Sequence, residues 1–519
     1  MRKKELILCV LLCNGAAFAQ ALPDLPPPPS LPRKEARSPI PVPVVPKEPK
    51  GPAQDLMVIY DLARKRDAEI AQAENDLAAG QEAYPQARAA LLPYINTDGD
   101  VGYNNAQVRT WGVNRNLYPG MTAGAAGAPG GAVSQDNKQH ERWRTWDYGF
   151  NLTQPVYNAQ LFARFRQSKD VVRQAEQTFK TAEQDLIMRV AQRYFDVLYA
   201  QDSLAFTLAL KAARQEQLER AKRSFEVGTA TIVEVDEAQA GYDAAVAQEI
   251  QAHNAIAVAR ENLAQMIGEM TPPLKHLETQ SRLPLKTPQP QDLDYWVAEA
   301  EKGNLMFKSA QEGLKIAQEE WAYARGERHP RFTFVSRYGE DNSTGSLGVT
   351  GGAGSDSITR TYFLQMELPI FAGGGISSRI REAASRRESS KDYLEYARRS
   401  AVFTAQQSYL NSINGFSQVQ ALLQSLESSK TALESNQLGF EVGVRTTVDV
   451  LMAQQNVFNA QRDLARATYD FLLSTLNLRY AVGTLNPKDL EAINQMLSEA
   501  APAKVSQAAL RAPDSPSQP

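Results

Sequence analysis

Between Pro155 and Pro272, and again between Pro369 and Pro487, the chain runs 116 and then 117 residues without a proline, although it holds 29. Within the first run Leu186, Ile187, Val190, Ala191, Tyr194, Phe195 and Leu198 keep a three-four spacing. That spacing lays one apolar stripe along a helix. The pattern predicts a helix over residues 160–224, a rod of roughly 100 Å at 1.5 Å per residue, about three times the hydrocarbon thickness of a bilayer. Such a rod cannot be housed in a membrane and must project from it. Charges at Arg164, Arg166, Lys169, Asp170 and Arg173 read as the solvated flanks of a coiled coil. The returning helices are Ala-rich (Ala244-Ala245-Val246-Ala247, and Ala453 to Ala467), so backbones can approach closely.

A period of two precedes each rod. Trp146, Tyr148, Phe150 and Leu152 alternate with Asp147, Gly149, Asn151 and Thr153; Tyr362, Leu364, Met366 and Leu368 alternate with Thr361, Phe363, Gln365 and Glu367. Weaker partner strands are expected at Tyr94–Asn105 and at Arg331–Gly339, where Phe332, Phe334 and Tyr338 share a face. The loops between, Ala106–Glu141 and Glu340–Ser357, are long, polar and Gly-rich, like the outer loops of membrane barrels. On that reading Trp146, Tyr148, Phe150, Leu152, Tyr362 and Leu364 face lipid. A one-sided sheet packed on a soluble core fits the alternation equally well. Bacterial barrels start at about eight strands, so four cannot close alone. Either the sheet is no barrel or several chains pool their strands.

The chain is written twice. Phe225 to Val235 recurs as Phe440 to Val450, and ten of the 21 pairs from Phe225 to Ala245 are identical at that single offset of 215. Each copy has a Gly after a long helical pattern, Gly228 or Gly443, and a Thr three residues before an acid, Thr231 before Glu234 or Thr446 before Asp449. These are a helix stop and a helix start, so each copy is a tight turn between long helices. Further upstream Ala87-Arg88 matches Ala324-Arg325, and Gln154-Pro155-Val156-Tyr157 resembles Leu368-Pro369-Ile370-Phe371. Each repeat reads helix, strand, Gly-rich loop, strand, Pro, long helix, turn, helix. The first is expected over residues 55–292, opening with a helix from Asp55 to Tyr84, and the second over 293–501. Thr271–Asp294 reads as the linker between them, and Thr484–Ser498 as a short helix-bearing segment.

Composition narrows the function. A net charge of −3 without a basic, aromatic-interleaved stripe excludes nucleic acid as a partner. Arg2 to Lys4, the apolar run Leu6 to Leu12 and Ala17-Phe18-Ala19 form an export signal over residues 1–19. Both cysteines, Cys9 and Cys13, lie inside it, so the mature chain has no thiol chemistry and no Cys-ligated metal. Lipidation of Cys13 is the lesser reading, since Leu12 stands where a small residue is wanted. Residues 20–54 hold 12 prolines and read as an extended or disordered spacer; residues 502–519 read as a disordered tail. Gly124–Gly131 follows no buried parallel strand and opens no helix, so it is loop rather than a phosphate cradle. His140, His253, His276 and His329 are scattered, as single surface histidines are. With no nucleophile motif either, an enzyme, a cofactor and a metal site are not expected.

With strands, rods and turns in place, the sequence resembles the TolC-like outer-membrane factor family over nearly its whole mature length. The paired turns carry the resemblance, with Leu91-Leu92-Pro93, Pro369 to Gly374, Leu263–Gly268 against Leu478–Gly483, and the ending Gly483-Thr484-Leu485-Asn486. It implies a mainly α protein with a membrane β-barrel: a homotrimer whose protomers each give four strands to a 12-stranded barrel and whose helices form a coiled-coil tube across the periplasm. It further implies an outer-membrane exit duct for protein secretion or efflux, serving a periplasmic adaptor and an inner-membrane transporter. The turns, Val227-Gly228-Thr229 and Val442-Gly443-Val444, would be the tips where the adaptor docks and the tube closes. By position, Arg445 is the latch arginine, with Asp449 and Glu234 as its acids. Capping boxes with Thr446 and Thr231 explain those two acids equally well. Phe440 stands where the family often has Tyr, and Met452 where a second acid is expected. A periplasmic coiled-coil scaffold without a pore is the competing reading.

Overall fold

The structure, a computed structural model, describes residues 51–113, 134–277, 286–345 and 354–498. The export signal, nearly all of the Pro-rich segment, the stretch Gly124–Gly131 and the tail lie outside these. Helices α1 (Leu56–Arg66), α2 (Ala68–Gln81) and α3 (Ala83–Ala89) lead into strands β1 (Tyr94–Val113) and β2 (Ser134–Tyr157). The long α4 (Ala159–Glu226) and its return α5 (Ile232–Ile267) follow, then the short β3 (His276–Leu277). The second repeat restates this as α6 (Leu293–Gly303), α7 (Leu305–Gly326), β4 (Arg331–Gly345), β5 (Ser355–Glu367), α8 (Gly375–Glu441) and α9 (Thr447–Ala481). Helix α10 (Pro487–Asn494) and β6 (Leu497–Ser498) close the described chain.

The three-four stripe is the centre of the core. Leu186, Ile187, Val190, Ala191, Tyr194, Phe195 and Leu198 are all buried, in one cluster with α1, the end of α5 and Leu464 to Leu476 of α9. Phe195 stacks on Tyr469 of α9 at 5.6 Å between ring centroids, and meets Tyr194 edge-on. The shorter helices lie end to end beside the rods. Where α6 and α7 meet the end of α9, a Cβ on Gly303 would fall 2.2 Å from the Val482 carbonyl oxygen. Only glycine allows that crossing. The linker after α5 is also structured: β3 pairs with β6, Gln54 bridges Leu274, and the Tyr194 hydroxyl donates to the Lys275 carbonyl at 2.8 Å.

Four expectations need correction. The single helix expected from Asp55 to Tyr84 is broken at Asp67, whose backbone is extended and whose carboxylate caps the Glu69 amide and pairs with Arg189 at 2.8 Å. A short acid that satisfies a helix start competes with continuing the helix. The strands also run further than the hydrophobic alternation: Ala106 opposes Glu141 and Ser343 opposes Ser355, inside the expected loops. Ladder hydrogen bonds are made by the backbone, so pairing outlasts the apolar pattern. Asp170 is buried against Arg173 and α7 rather than solvated. His276 is buried in β3, where burial pushes its imidazole down to about 4.

Candidate gate and membrane wall

The two turns have the same backbone. Gly228 and Gly443 adopt φ of 78° and 79°, the left-handed region where a side chain is strained. The Thr231 hydroxyl accepts from the Glu234 amide and the Glu234 carboxylate accepts from the Thr231 amide, a capping box repeated by Thr446 and Asp449. Both acids are thus engaged locally. Asp449 is held below the usual carboxylate range, first by the Thr446 amide and hydroxyl and only last by the nearby Arg445 charge. Val227, Val442 and Val444 are exposed at the tips, and Thr229 folds its hydroxyl back onto the Ser224 carbonyl.

Arg445 is different. Its stem crosses Gly439, whose missing Cβ leaves the room, and its amide donates to the Gly439 carbonyl at 3.0 Å. Its side chain is exposed and forms no salt bridge among the described residues. Glu234 and Phe440 line one cavity of about 340 Å³ between the two hairpins, with Arg220 and Glu441. The chain therefore sets Glu234 and Phe440 on one cavity and leaves Arg445 beside its own Asp449.

Two buried polar links were missed by the sequence reading. Leu198, Asp202, Phe206, Leu210, Arg214 and Leu218 recur at every fourth position of α4, and all are buried. The Tyr469 hydroxyl donates to Asp202 at 2.7 Å, and Arg214 donates to the Leu451 carbonyl at 2.9 Å. Both join α4 to α9, and burial lowers the Arg214 guanidinium below its ordinary value. The signal was available: an acid and a base stand in register with an apolar row, where a charge needs a partner.

The sheet is antiparallel in the order β1-β2-β4-β5. Register sets Ile95 opposite Leu152, Leu152 opposite Ser336, and Ser336 opposite Tyr362; likewise Phe150 opposes Tyr338 and Phe334 opposes Leu364. Directly opposed residues share a face. All six expected lipid-facing residues therefore fall on one side of the sheet. Among the described residues nothing covers that side: Tyr362 and Leu364 are 68% and 60% exposed. A sheet packed on its own helices would have buried them. The opposite face is polar, with Asn151 bonded to Asp98 and Arg337 3.9 Å from the same carboxylate.

An exposed apolar face on one side, a polar face on the other and rods of 68 and 67 residues match a known group of proteins. The outer membrane efflux protein family matches residues 59–269 and 296–484. The chain belongs to this family. Among curated relatives, outer membrane protein TolC of Escherichia coli (strain K12) is 30% identical over 453 residues, 86% of each chain. Proteases secretion protein PrtF of Dickeya chrysanthemi is 26% identical, covering 84% of this chain and 90% of the relative. The Campylobacter jejuni CmeC outer membrane channel has the same fold, with a TM-score of 0.65 at 17% identity over 87% of this chain and 94% of that one. As an outer membrane efflux protein, the chain is an outer-membrane export channel with a helical part in the periplasm, in a family of channels rather than enzymes. No described helix is long and apolar enough to cross a membrane.

Proposed function

We propose that this protein is the exit duct of a tripartite export machine, a homotrimer in which three sets of four strands close a 12-stranded barrel and the helices continue as a periplasmic tube. One observation carries the reading. Inside the chain the main strands and rods of the first repeat meet those of the second along three large seams, β2 on β4, α4 on α7 and α4 on α9. The duplication maps these onto β5 with β1, α8 with α2 and α3, and α8 with α5. No such seam is made within the chain among the described residues, and β5 and β1 are the sheet's free edges. A second copy supplies all three at once, and repetition closes a ring.

The tips are the closing end. Arg445, whose side chain forms no ion pair among the described residues, latches to a carboxylate of an adjoining hairpin, Glu234 in first place, beside Phe440 and Asp449. The exposed Val227-Gly228-Thr229 and Val442-Gly443-Val444 turns are the docking surface for a periplasmic adaptor, which couples the duct to an inner-membrane transporter. Relatives named for protease secretion and for efflux support both kinds of cargo, and a wide aqueous tube leaves the choice to the pump.

In planar bilayers, Arg445→Ser or Glu234→Ala is expected to raise single-channel conductance. A charge-assisted bond worth about 1.5–3 kcal/mol shifts the open population roughly tenfold or more. Unchanged conductance in both variants removes the latch. A purified protein that stays monomeric and forms no pore overturns the duct.

A further inference from the structure

Where strands hand over to helices, the chain builds a cleft that the duct itself does not use. The last turn of α7 meets the first turn of α4 at Gly326, whose Cβ position lies 3.0 Å from the Gln160 amide. Beside that contact Tyr157, Phe162, Arg166, Arg325 and His329 line an open cavity of about 350 Å³.

Its side and its depth are both fixed by the sheet. Across the bulge that ends the β2–β4 ladder Tyr157 opposes Phe332, two residues from Phe334 and so on the lipid-facing side. The ring centroids of Tyr157 lie 6.4 Å from Phe332 and 6.2 Å from Phe162, so the cleft wall continues the lipid-facing surface. From Tyr157 to Trp146 the strand covers roughly 36 Å at about 3.3 Å per residue, or about 28 Å of membrane at the usual barrel tilt. The cleft therefore sits at the periplasmic edge of the hydrocarbon. Just past the end of β5, at the same edge, Ile370 and Phe371 are 94% and 89% exposed, as interfacial anchors are.

The charge in the cleft is specific. Arg166 is neutralised by both oxygens of Glu319 at 3.0 and 3.1 Å. Arg325 has no ion pair among the described residues. Its guanidinium lies 4.6 Å from the centroid of the Trp321 ring, a cation–π contact that supplies no carboxylate, and Arg387 lies 4.8 Å from the same centroid. His329 is exposed at the rim.

We propose that this cleft binds a phospholipid of the periplasmic leaflet, with Arg325 donating to the headgroup phosphate and Tyr157 and Phe162 flanking the glycerol and upper acyl chain. The inference rests on the outer-membrane channel reading. Aromatic walls continuous with the lipid face favour a lipid over a free anion, which has no use for them.

Native mass spectrometry of the detergent-purified oligomer, titrated with phosphatidylglycerol or with inorganic phosphate, tests it. The wild type is expected to retain one phosphatidylglycerol per protomer. Arg325→Gln should weaken retention about tenfold or more, the loss of a charge-assisted contact, and Arg325→Lys should recover part of it. Phe162→Ala should weaken lipid retention and leave any effect of inorganic phosphate unchanged. Equal retention by the wild type and Arg325→Gln overturns the proposal, as does displacement of the lipid by inorganic phosphate alone. Loss of the oligomer in Arg325→Gln whatever lipid is added also overturns it, making Arg325 an assembly residue. A wild type that forms no pores sinks the channel reading; one that forms pores but retains lipid independently of Arg325 sinks this inference alone.

Discussion

Phe195 of α4 and Leu410 of α8 hold the same place in the two repeats, 215 positions apart, yet Phe195 is 1% exposed and Leu410 is 50% exposed. The difference lies in the neighbours. Helix α4 is covered by its return α5 and also by α7 and α9 of the second repeat, whereas among the described residues α8 packs closely on its own repeat alone. The polar links follow the same division. Asp202 and Tyr469 bond each other in the buried seam, while their counterparts, Ser417 and Asn254, are both exposed. Duplication thus supplied two equal frames, and the chain refined the seam it makes with itself.

The sharpest way to break this comparison is to change the paired positions separately. Phe195→Ala should cost the chain about 3–5 kcal/mol, read by thermal or denaturant unfolding, because the cavity opens in a packed core. Leu410→Asp should leave helix content intact by circular dichroism and abolish the slow-migrating, heat-sensitive oligomer on a gel. Normal assembly of Leu410→Asp would mean that the exposed face of α8 is no interface.

A smaller effect tests the polar seam through pH. Burial raises the Asp202 carboxyl from 3.8 to about 6, and the Tyr469 hydrogen bond pulls it the other way. Between those values the folded chain holds a proton that the unfolded chain has lost. The contribution of Asp202 is then fully present below pH 3.8 and is lost as pH rises through about 6. Tyr469→Phe removes the opposing bond, so the loss extends to higher pH and grows by about 1 kcal/mol at neutrality. Asp202→Asn should abolish this component. Unfolding curves from pH 4 to 8 read both variants, and a Tyr469→Phe profile parallel to wild type would contradict the assignment.

The smallest effects belong to the turns, where the repeats remained alike. Thr231→Ala and Thr446→Ala should each weaken a helix start by about 1 kcal/mol, seen as faster amide exchange in the first turns of α5 and α9. Equal losses would sharpen the comparison by confining the asymmetry to the rods. A much larger loss at Thr446 would place it at the tips as well.

The stripe in α4, the alternation of β2 and β5, and both turns were readable from residue order, because each depends on neighbours within a few positions. Asp67 was not, since its cap and its pairing with Arg189 come from residues on two elements. Strand ends beyond Ala106 and Ser355 were hidden because backbone pairing leaves no mark on side-chain polarity. Of the candidate gate, the capping acids were legible; the isolation of Arg445 from Glu234 within one chain was not, because it depends on how two hairpins lie against each other.

By itself the sequence determined the local periods: where the chain coils, where it extends, where glycine and threonine turn it, and that it does all this twice. Tertiary structure alone decided that α4 lies inside and α8 outside, that six aromatic and aliphatic residues from distant strands share one exposed face, and that Arg325 stands beside it with no ion pair among the described residues. The physical reason is that periodicity fixes which side of an element is apolar, whereas burial depends on what arrives to cover it.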